Sequence, residues 1–341
     1  MRSRCLHSVY FAAGQRRQRG VHSYIRGSVP ALWHNMIKYY LAPLEGITTH
    51  IMRIAVHEVF GEGICKYFTP FFSPQTKRHA SSYAMQGIRP ENNEGIYLVP
   101  QMLTDYAEDF LAFEKDMRAY GYKELNINLG CPSGTVVSKG RGAGMLEYPQ
   151  RLDYFLEDIF AKTSASISVK TRLGLHDEDE FYRLMEVFNK YPLEELIIHA
   201  RVRDEMYAGS PHRDMYLWAK QHSRNRTVYN GDVFGPGDEM SDNGPIEDTI
   251  MLGRGMVADP SLARQLLGGE RASKEELKEY LRMLRERYMA RDPDERHCLE
   301  KLKEIWAYMR EQFPDRDRDI KEIMKARRLE EYRIAADRLM R

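Results

Sequence analysis

From Ile37 to about residue 270 the chain alternates between two hydrophobic patterns. Short β-rich runs stand at 37–42, 64–69, 96–100, 124–128, 167–171, 196–199, 227–230 and 248–252. Each is largely apolar, as expected of parallel strands covered by helices on one side. Between them, stretches such as 103–120 and 178–190 carry apolar residues at helical spacing with charges on the opposite face. Eight strand–helix units in roughly 230 residues predict a TIM (β/α)8 barrel. A doubly wound open sheet is the alternative. It is disfavoured because no GxGxxG turn follows the first strand, where Pro43-Leu44-Glu45-Gly46 stands instead.

After Gly268-Gly269 the pattern becomes continuously helical. Ser273 with Glu276 three residues on forms a capping box, and Leu277, Tyr280, Leu281, Leu284 and Tyr288 then share one face. Pro293 and Pro314 divide the remainder into about three helices. The pattern predicts a barrel over 36–270 and a small C-terminal helical domain over 271–341, with an extension of the barrel's outer ring as the lesser reading.

Charge changes the picture at the ends. The net charge is +1, but residues 1–35 hold six Arg and no acid, and residues 271–341 hold 20 Lys/Arg against 17 Asp/Glu. The body between is acidic, so it would meet nucleic acid through local patches or the tail rather than through net charge. No apolar run reaches the roughly 18 residues of a membrane-spanning helix. Cys5, Cys65, Cys131 and Cys298 lie far apart without a CxxC pair. That spacing argues against a zinc site or a disulfide framework and for a reducing, cytoplasmic setting. Residues 1–35 read as a disordered extension or as translation begun upstream of Met36, with a transit peptide as the alternative; no fold is expected there.

Candidate chemistry sits at the ends of the predicted strands, where TIM barrels build their sites. In order these ends are Pro43, Thr69-Pro70, Gln101, Asn128 with Cys131, Lys170, His199, Asn230-Gly231-Asp232 and Gly253-Arg254-Gly255. Each has a bland reading alone, as a solvated lysine or a packed histidine; their shared placement on one rim raises them above it. Gly253 and Gly255 free the backbone to approach a phosphate, and Arg254 can grip it. Gln101 has the amide to read a heterocycle edge. Lys170 can place positive charge beside a ring that becomes anionic on reduction, while Asn230 and His199 add orienting donors. A flavin mononucleotide fits this set better than a nicotinamide dinucleotide, which normally brings its own Rossmann unit.

The segments Asn126-Ile127-Asn128-Leu129-Gly130-Cys131-Pro132 and Gly140-Arg141-Gly142-Ala143-Gly144-Met145-Leu146 carry a specific resemblance. With Ala42-Pro43-Leu44-Glu45-Gly46-Ile47-Thr48, Val169-Lys170-Thr171-Arg172, Ile198-His199-Ala200-Arg201, Asn230-Gly231-Asp232 and Met251-Leu252-Gly253-Arg254-Gly255, the chain resembles the tRNA-dihydrouridine synthases over roughly 36–270. The resemblance implies an FMN-containing barrel, NADPH as reductant and tRNA as substrate, with the helical tail helping to hold the RNA. It implies that Cys131 is the general acid, protonating carbon 5 of uracil opposite the reduced flavin. A free thiol has a pKa of about 8.5, so acid duty near neutrality needs no thiolate. Cys65 is expected as a packed thiol.

By the same matching, Pro43, Leu44 and Glu45 make loop contacts around the flavin, and Gln101 and Lys170 meet its ring. Asn230, Gly231, Asp232, Gly253 and Arg254 hold the ribityl-phosphate end. His199 contacts cofactor or substrate, and Asn128 and Arg201 contact substrate. Lys321, Lys325, Arg327 and Arg328 are candidates for tRNA phosphates, set against i,i+4 pairing on exposed helices. The loop after strand 6 keeps Tyr207-Ala208-Gly209 but lacks the Arg-Thr and Ala-Asp-Trp flanks common in the family, which weakens the substrate contacts rather than the flavin contacts. Competing readings are an FMN enzyme of a free pyrimidine or other small molecule, and a catalytically silent RNA-binding relative.

Overall fold

The computed structural model describes residues 37–61, 63–74, 83–242 and 244–341. The arginine-rich segment 1–35 lies outside the described residues. Eight parallel strands follow one another: β1 Lys38–Leu41, β2 Lys66–Phe68, β3 Leu98–Val99 with Gln101–Met102, β4 Glu124–Leu129, β5 Ser166–Arg172, β6 Leu196–His199, β7 Thr227–Asn230 and β8 Thr249–Leu252. β3 is one strand interrupted at Pro100. Its first half pairs with β2 (Tyr67 opposite Leu98) and its second with β4 (Gln101 opposite Asn126). Proline lacks the N–H a ladder needs, but the Pro100 carbonyl still accepts from Asn126 N at 2.9 Å. With Tyr40 opposite Met251, β8 meets β1 and the sheet returns on itself as a TIM barrel.

β4 shows why the runs fold this way. Leu125, Ile127 and Leu129 are buried in the apolar layer under the helices. Burying each such side chain is worth about 1.5–3 kcal/mol. The alternate residues Glu124, Asn126 and Asn128 turn into the barrel, where Gln101 and Ser168 meet them. The interior holds a small apolar cluster of Tyr40, Ala42, Phe68, Val99, Ile197, Val228 and Met251. Beneath it lies a charged floor in which Lys66 Nζ reaches Glu124 Oε2 and Glu195 Oε2, each at 3.0 Å. Both carboxylates and the ammonium are paired, so the floor closes the barrel without a stranded charge.

The longer outer helices are α1 His50–Phe60, α2 Ala107–Ala119, α3 Pro149–Phe160, α4 Glu180–Phe188 and α5 Arg213–His222. Four more follow the barrel: α6 Lys274–Arg291, α7 Glu295–Met309, α8 Asp317–Lys325 and α9 Leu329–Leu339. The expected capping box is present, and the five residues placed on one face of α6 are the ones it buries. α6 packs on α1, with Phe60 and Tyr280 rings 5.5 Å apart and Arg287 paired with Glu58 at 2.6 Å. Trp306 Nε1 donates to Tyr332 Oη at 2.9 Å and ties α7 to α9.

The tail has four such helices where two prolines implied three. The additional break falls at 326–328 and contains neither Pro nor Gly. There Ala326 and Arg328 turn extended, with ψ of 134° and 151°, while Lys303 Nζ takes the Ala326 carbonyl. Among the described residues no helix is long and apolar enough to cross a membrane.

Candidate active site

The C-terminal ends of the strands converge on one mouth, and the turn after β4 projects Cys131 into it. Asn128 builds that turn from inside. Its side-chain oxygen accepts from Gly130 N at 3.1 Å and Cys131 N at 2.9 Å, while its amide nitrogen donates to Gln101 Oε1 at 2.7 Å. The glycine-rich run packs behind, where Ala143 N donates to the Cys131 carbonyl at 3.1 Å. Cys131 is half-buried, and Ser133 N–H points at its sulfur. Burial pushes the thiol pKa up; the Ser133 contact and the nearby Arg172 and Lys170 pull against it without cancelling the rise. Cys131 is therefore a neutral thiol around pH 7.

Lys170, on β5, has no hydrogen-bond or ion-pair partner among the described residues. Burial and the neighbouring Arg172 bring its ammonium down to about 7. His199, at the end of β6, is held far below the usual imidazole range by burial and by Arg172, Lys170, Arg201 and Arg254. Its Nε2 faces Arg201 Nη1 at 3.4 Å and must accept there, so a neutral ring carries its proton on Nδ1.

Arg172 is the residue that sequence reasoning left out of the site. It is almost fully buried, and donates from Nε to Gly130 O (3.1 Å), from Nη1 to Val202 O (2.8 Å) and from Nη2 to Met206 O (2.7 Å). It thus stitches the Cys131 turn to the loop after β6. Met206 sits in the left-handed region at φ 53°, a strained position for a side chain other than glycine. The next residue, Tyr207, is exposed and lies across the guanidinium of Arg254, 4.6 Å from ring centre to carbon, with Phe234 on another side at 5.7 Å. The signal for Arg172 was available: it stands two residues beyond Lys170, so it shares the inward face of β5.

Arg201, Asp232 and Cys65 stand apart from what was expected of them. Arg201, read as a substrate contact, is fully enclosed. All five of its N–H bonds are used, on Ala208 O, Gly209 O, both Asp232 carboxylate oxygens and His199 Nε2. No donor is left for a ligand, so it organises the loop. Asp232, read as holding the ribityl-phosphate end, binds Arg201 and receives Arg254 Nη2 at 2.6 Å. A carboxylate repels a phosphate, so its contribution is to aim Arg254. Cys65, expected to be packed, is exposed.

The remaining candidates line the mouth or the layer beneath it. Gln101 is fully buried, its nitrogen on Asn126 at 2.7 Å and its oxygen on Asn128, so it orders the Cys131 turn from below. Asn230 donates to Met251 O at 2.8 Å, and Gly231 follows it at the end of β7. A Cβ on Gly253 would meet only Ala42 Cβ, at 3.7 Å, so the backbone there is open on the mouth side. Pro43, Leu44 and Glu45 form the loop after β1, which Thr48 closes by accepting from Leu44 N at 2.7 Å. Protein crowds the Glu45 carboxyl although its surface is open to the mouth. That crowding raises it to about 7 against the pull of Lys301. Lys301, on α7, donates to Gly46 O at 3.2 Å and brings the tail to the rim.

The chain is similar to several known proteins. The family model described as Dihydrouridine synthase (Dus) matches residues 40–333. A "Probable tRNA-dihydrouridine synthase" of Staphylococcus epidermidis is 27% identical over 230 residues, covering 65% of this chain and 69% of that protein. "Probable tRNA-dihydrouridine synthase 2" of Bacillus subtilis is 27% identical over 237 residues, covering 65% of this chain and 70% of that one. Among solved structures, morphinone reductase aligns over 71% of this chain and 88% of its own, at 10% identity and a TM-score of 0.46.

Proposed function

The chain belongs to the dihydrouridine synthase family, and on that premise we propose that it reduces a uridine of tRNA to 5,6-dihydrouridine, using FMN with NADPH as reductant. The observation that carries the reading is a neutral thiol, Cys131, fixed in a mouth lined by Lys170, Arg172 and a neutral His199. The residues fit the cofactor. Lys170 has no side-chain partner among the described residues and an anion beside it would hold it protonated, the backbone at Gly253 is open, and Asp232 aims Arg254 beside it. When bound, FMN supplies the hydride. Lys170 would face its ring, and Gly253 with Arg254 its phosphate; Pro43, Leu44, Asn230 and Gly231 complete the walls.

The protein's own contribution is the proton. Reduction of a carbon–carbon double bond needs a proton at carbon 5 of uracil as well as a hydride at carbon 6. A thiol whose pKa is raised holds its proton across the neutral range and so can supply it. As Cys131 gives the proton up, negative charge develops on sulfur within reach of Lys170 and Arg172, which stabilise it. A nucleophilic role would instead need a thiolate at rest, which burial opposes. The target base must leave its stack to enter such a mouth. The tail supports RNA as the substrate: Lys321, Lys325 and Arg327 have no side-chain partner among the described residues, whereas Arg328 pairs with Glu331 at 3.2 Å. The first three are the proposed phosphate contacts.

The test is the purified flavoprotein with unmodified tRNA and NADPH. Cys131→Ala should keep its flavin and its rate of flavin reduction, while dihydrouridine formation falls about 10²–10⁴-fold, the range for loss of a general acid. An undiminished rate in that variant removes the acid role. Absence of dihydrouridine with the wild-type protein on every tRNA tried removes the substrate.

A further inference from the structure

The turn Gly130-Cys131-Pro132 is held carbonyl by carbonyl. Gly130 O accepts from Arg172 Nε at 3.1 Å, Cys131 O from Ala143 N at 3.1 Å, and Pro132 O from Arg203 Nε at 3.2 Å. The first two donors are buried. The third belongs to a partly exposed side chain, 27% accessible, in the loop after β6. Packing does not explain why Arg203 lies there, and its surroundings show that its direction is set. Its backbone N donates to Gly174 O at 2.9 Å, its Nη1 to Asp204 Oδ1 at 2.8 Å, and Asp204 Oδ2 meets His176 Nδ1 at 2.6 Å. The guanidinium is fixed at its root and on its far side, with Nε left to reach across to the turn. A Cβ on Gly134 would lie 4.0 Å from its Nη2, so the side chain runs along the turn rather than merely touching it.

We propose that Arg203 is a positioning residue for Cys131. By holding the Pro132 carbonyl it fixes the Pro132–Ser133 peptide, and with it the Ser133 N–H that meets the sulfur and directs the Cys131 side chain. The proposal rests on the reading of Cys131 as the proton donor. Removing Arg203 leaves the Arg172 and Ala143 bonds in place, so the thiol stays in the mouth but samples directions that do not reach the substrate. Proton donation slows while binding persists. Arg203 bears on the reaction only through Cys131, which separates it from a residue that grips tRNA.

The experiment is a double-mutant cycle on the holoenzyme. Flavin is reduced first, unmodified tRNA is added, and a single turnover of dihydrouridine formation is followed. Arg203→Ala is expected to slow that turnover about tenfold, the worth of one hydrogen bond from a charged donor. Arg203→Lys, which retains a donor of similar reach, recovers part of the rate. The rate of flavin reduction by NADPH and the Kd for tRNA stay at wild-type values. In a Cys131→Ala background, Arg203→Ala has no further effect. Equal losses in both backgrounds, or a loss accounted for by weaker tRNA binding, overturn the positioning role and make Arg203 a substrate contact. A wild-type rate for Cys131→Ala alone overturns the acid reading instead, and the cycle tells the two failures apart.

Discussion

A Cβ built on Gly142 would stand 2.9 Å from the carbonyl oxygen of Cys131 and 3.0 Å from its Cβ, on a backbone at φ +56°. Gly144 is pressed equally hard, 2.6 Å from Val137 O. The glycines after the thiol therefore serve as close-packing positions that let the run slide under the turn. Gly142→Ala should push the turn and strain the backbone at once. Stability should fall by about 1–2 kcal/mol, and turnover should fall more steeply than flavin content. Denaturant midpoints and flavin-to-protein ratios check both, and a fully active alanine variant would refute the close-packing role.

At this scale the placement of Cys131 and Lys170 at the mouth was legible, because one follows a readable strand and the other stands on one. The role of Arg201 was not legible. Its five acceptors come from positions 199, 208, 209 and 232, and a sequence displays a positive charge without showing where its donors end. Cys65 misled for a related reason, since it stands in the β-rich run 64–69 while its own position before β2 faces out.

Strands and helices were read more securely than side-chain roles, because alternation and helical spacing are local. All eight strands overlap the runs that the pattern marked. The third was displaced toward its C-terminal end because pairing continues beyond Pro100 through Gln101. The helical break at 326–328 carries no Pro or Gly signal; a distant bond from Lys303 on α7 holds the Ala326 carbonyl, and a local one takes Arg327 N to Glu331 on α9. The start of α6 is the opposite case, a purely local device. Ser273 Oγ accepts from Glu276 N at 3.2 Å, and Glu276 Oε2 accepts from Ser273 N at 2.8 Å. Arg264 then clasps the same carboxylate, holding its pKa down at about 2. Ser273→Ala should cost about 1 kcal/mol and speed amide exchange in the first turn of α6, with the barrel's exchange unchanged. A stability loss spread evenly over the barrel would show that the cap does more than start the helix.

For the whole molecule, the acidic body and the cationic mouth are two levels of one charge design. Residues 36–270 carry more acids than bases, yet the mouth gathers Lys170, Arg172, Arg201 and Arg254, of which Arg201 and Arg254 pair with Asp232. Burial, with Arg172 alongside, brings Lys170 down to about 7, and burial, with Arg201 adding to it, brings Arg172 down to about 10. For a lysine lowered on folding, the unfolded chain binds more protons between the two pKa values, so stability rises with pH from about 7 toward 10.5, the ordinary lysine value.

Binding has the opposite sign. An anionic ligand beside Lys170 favours the ammonium and raises its pKa again. Between about pH 7 and 8.5, then, FMN should bind with net proton uptake, and its affinity should weaken as pH climbs. Glu45, also near 7, adds uptake of the same sign if the ligand's charge reaches it, and Lys301 works against that. Calorimetry of FMN binding to the apoprotein, in buffers of different ionisation enthalpy at pH 7.5, measures the proton count. Lys170→Met should abolish most of the uptake and flatten the pH dependence of Kd, whereas Glu45→Gln should leave the larger part intact. Equal uptake by wild type and Lys170→Met would place the titrating group elsewhere and remove Lys170 from the cofactor's ring.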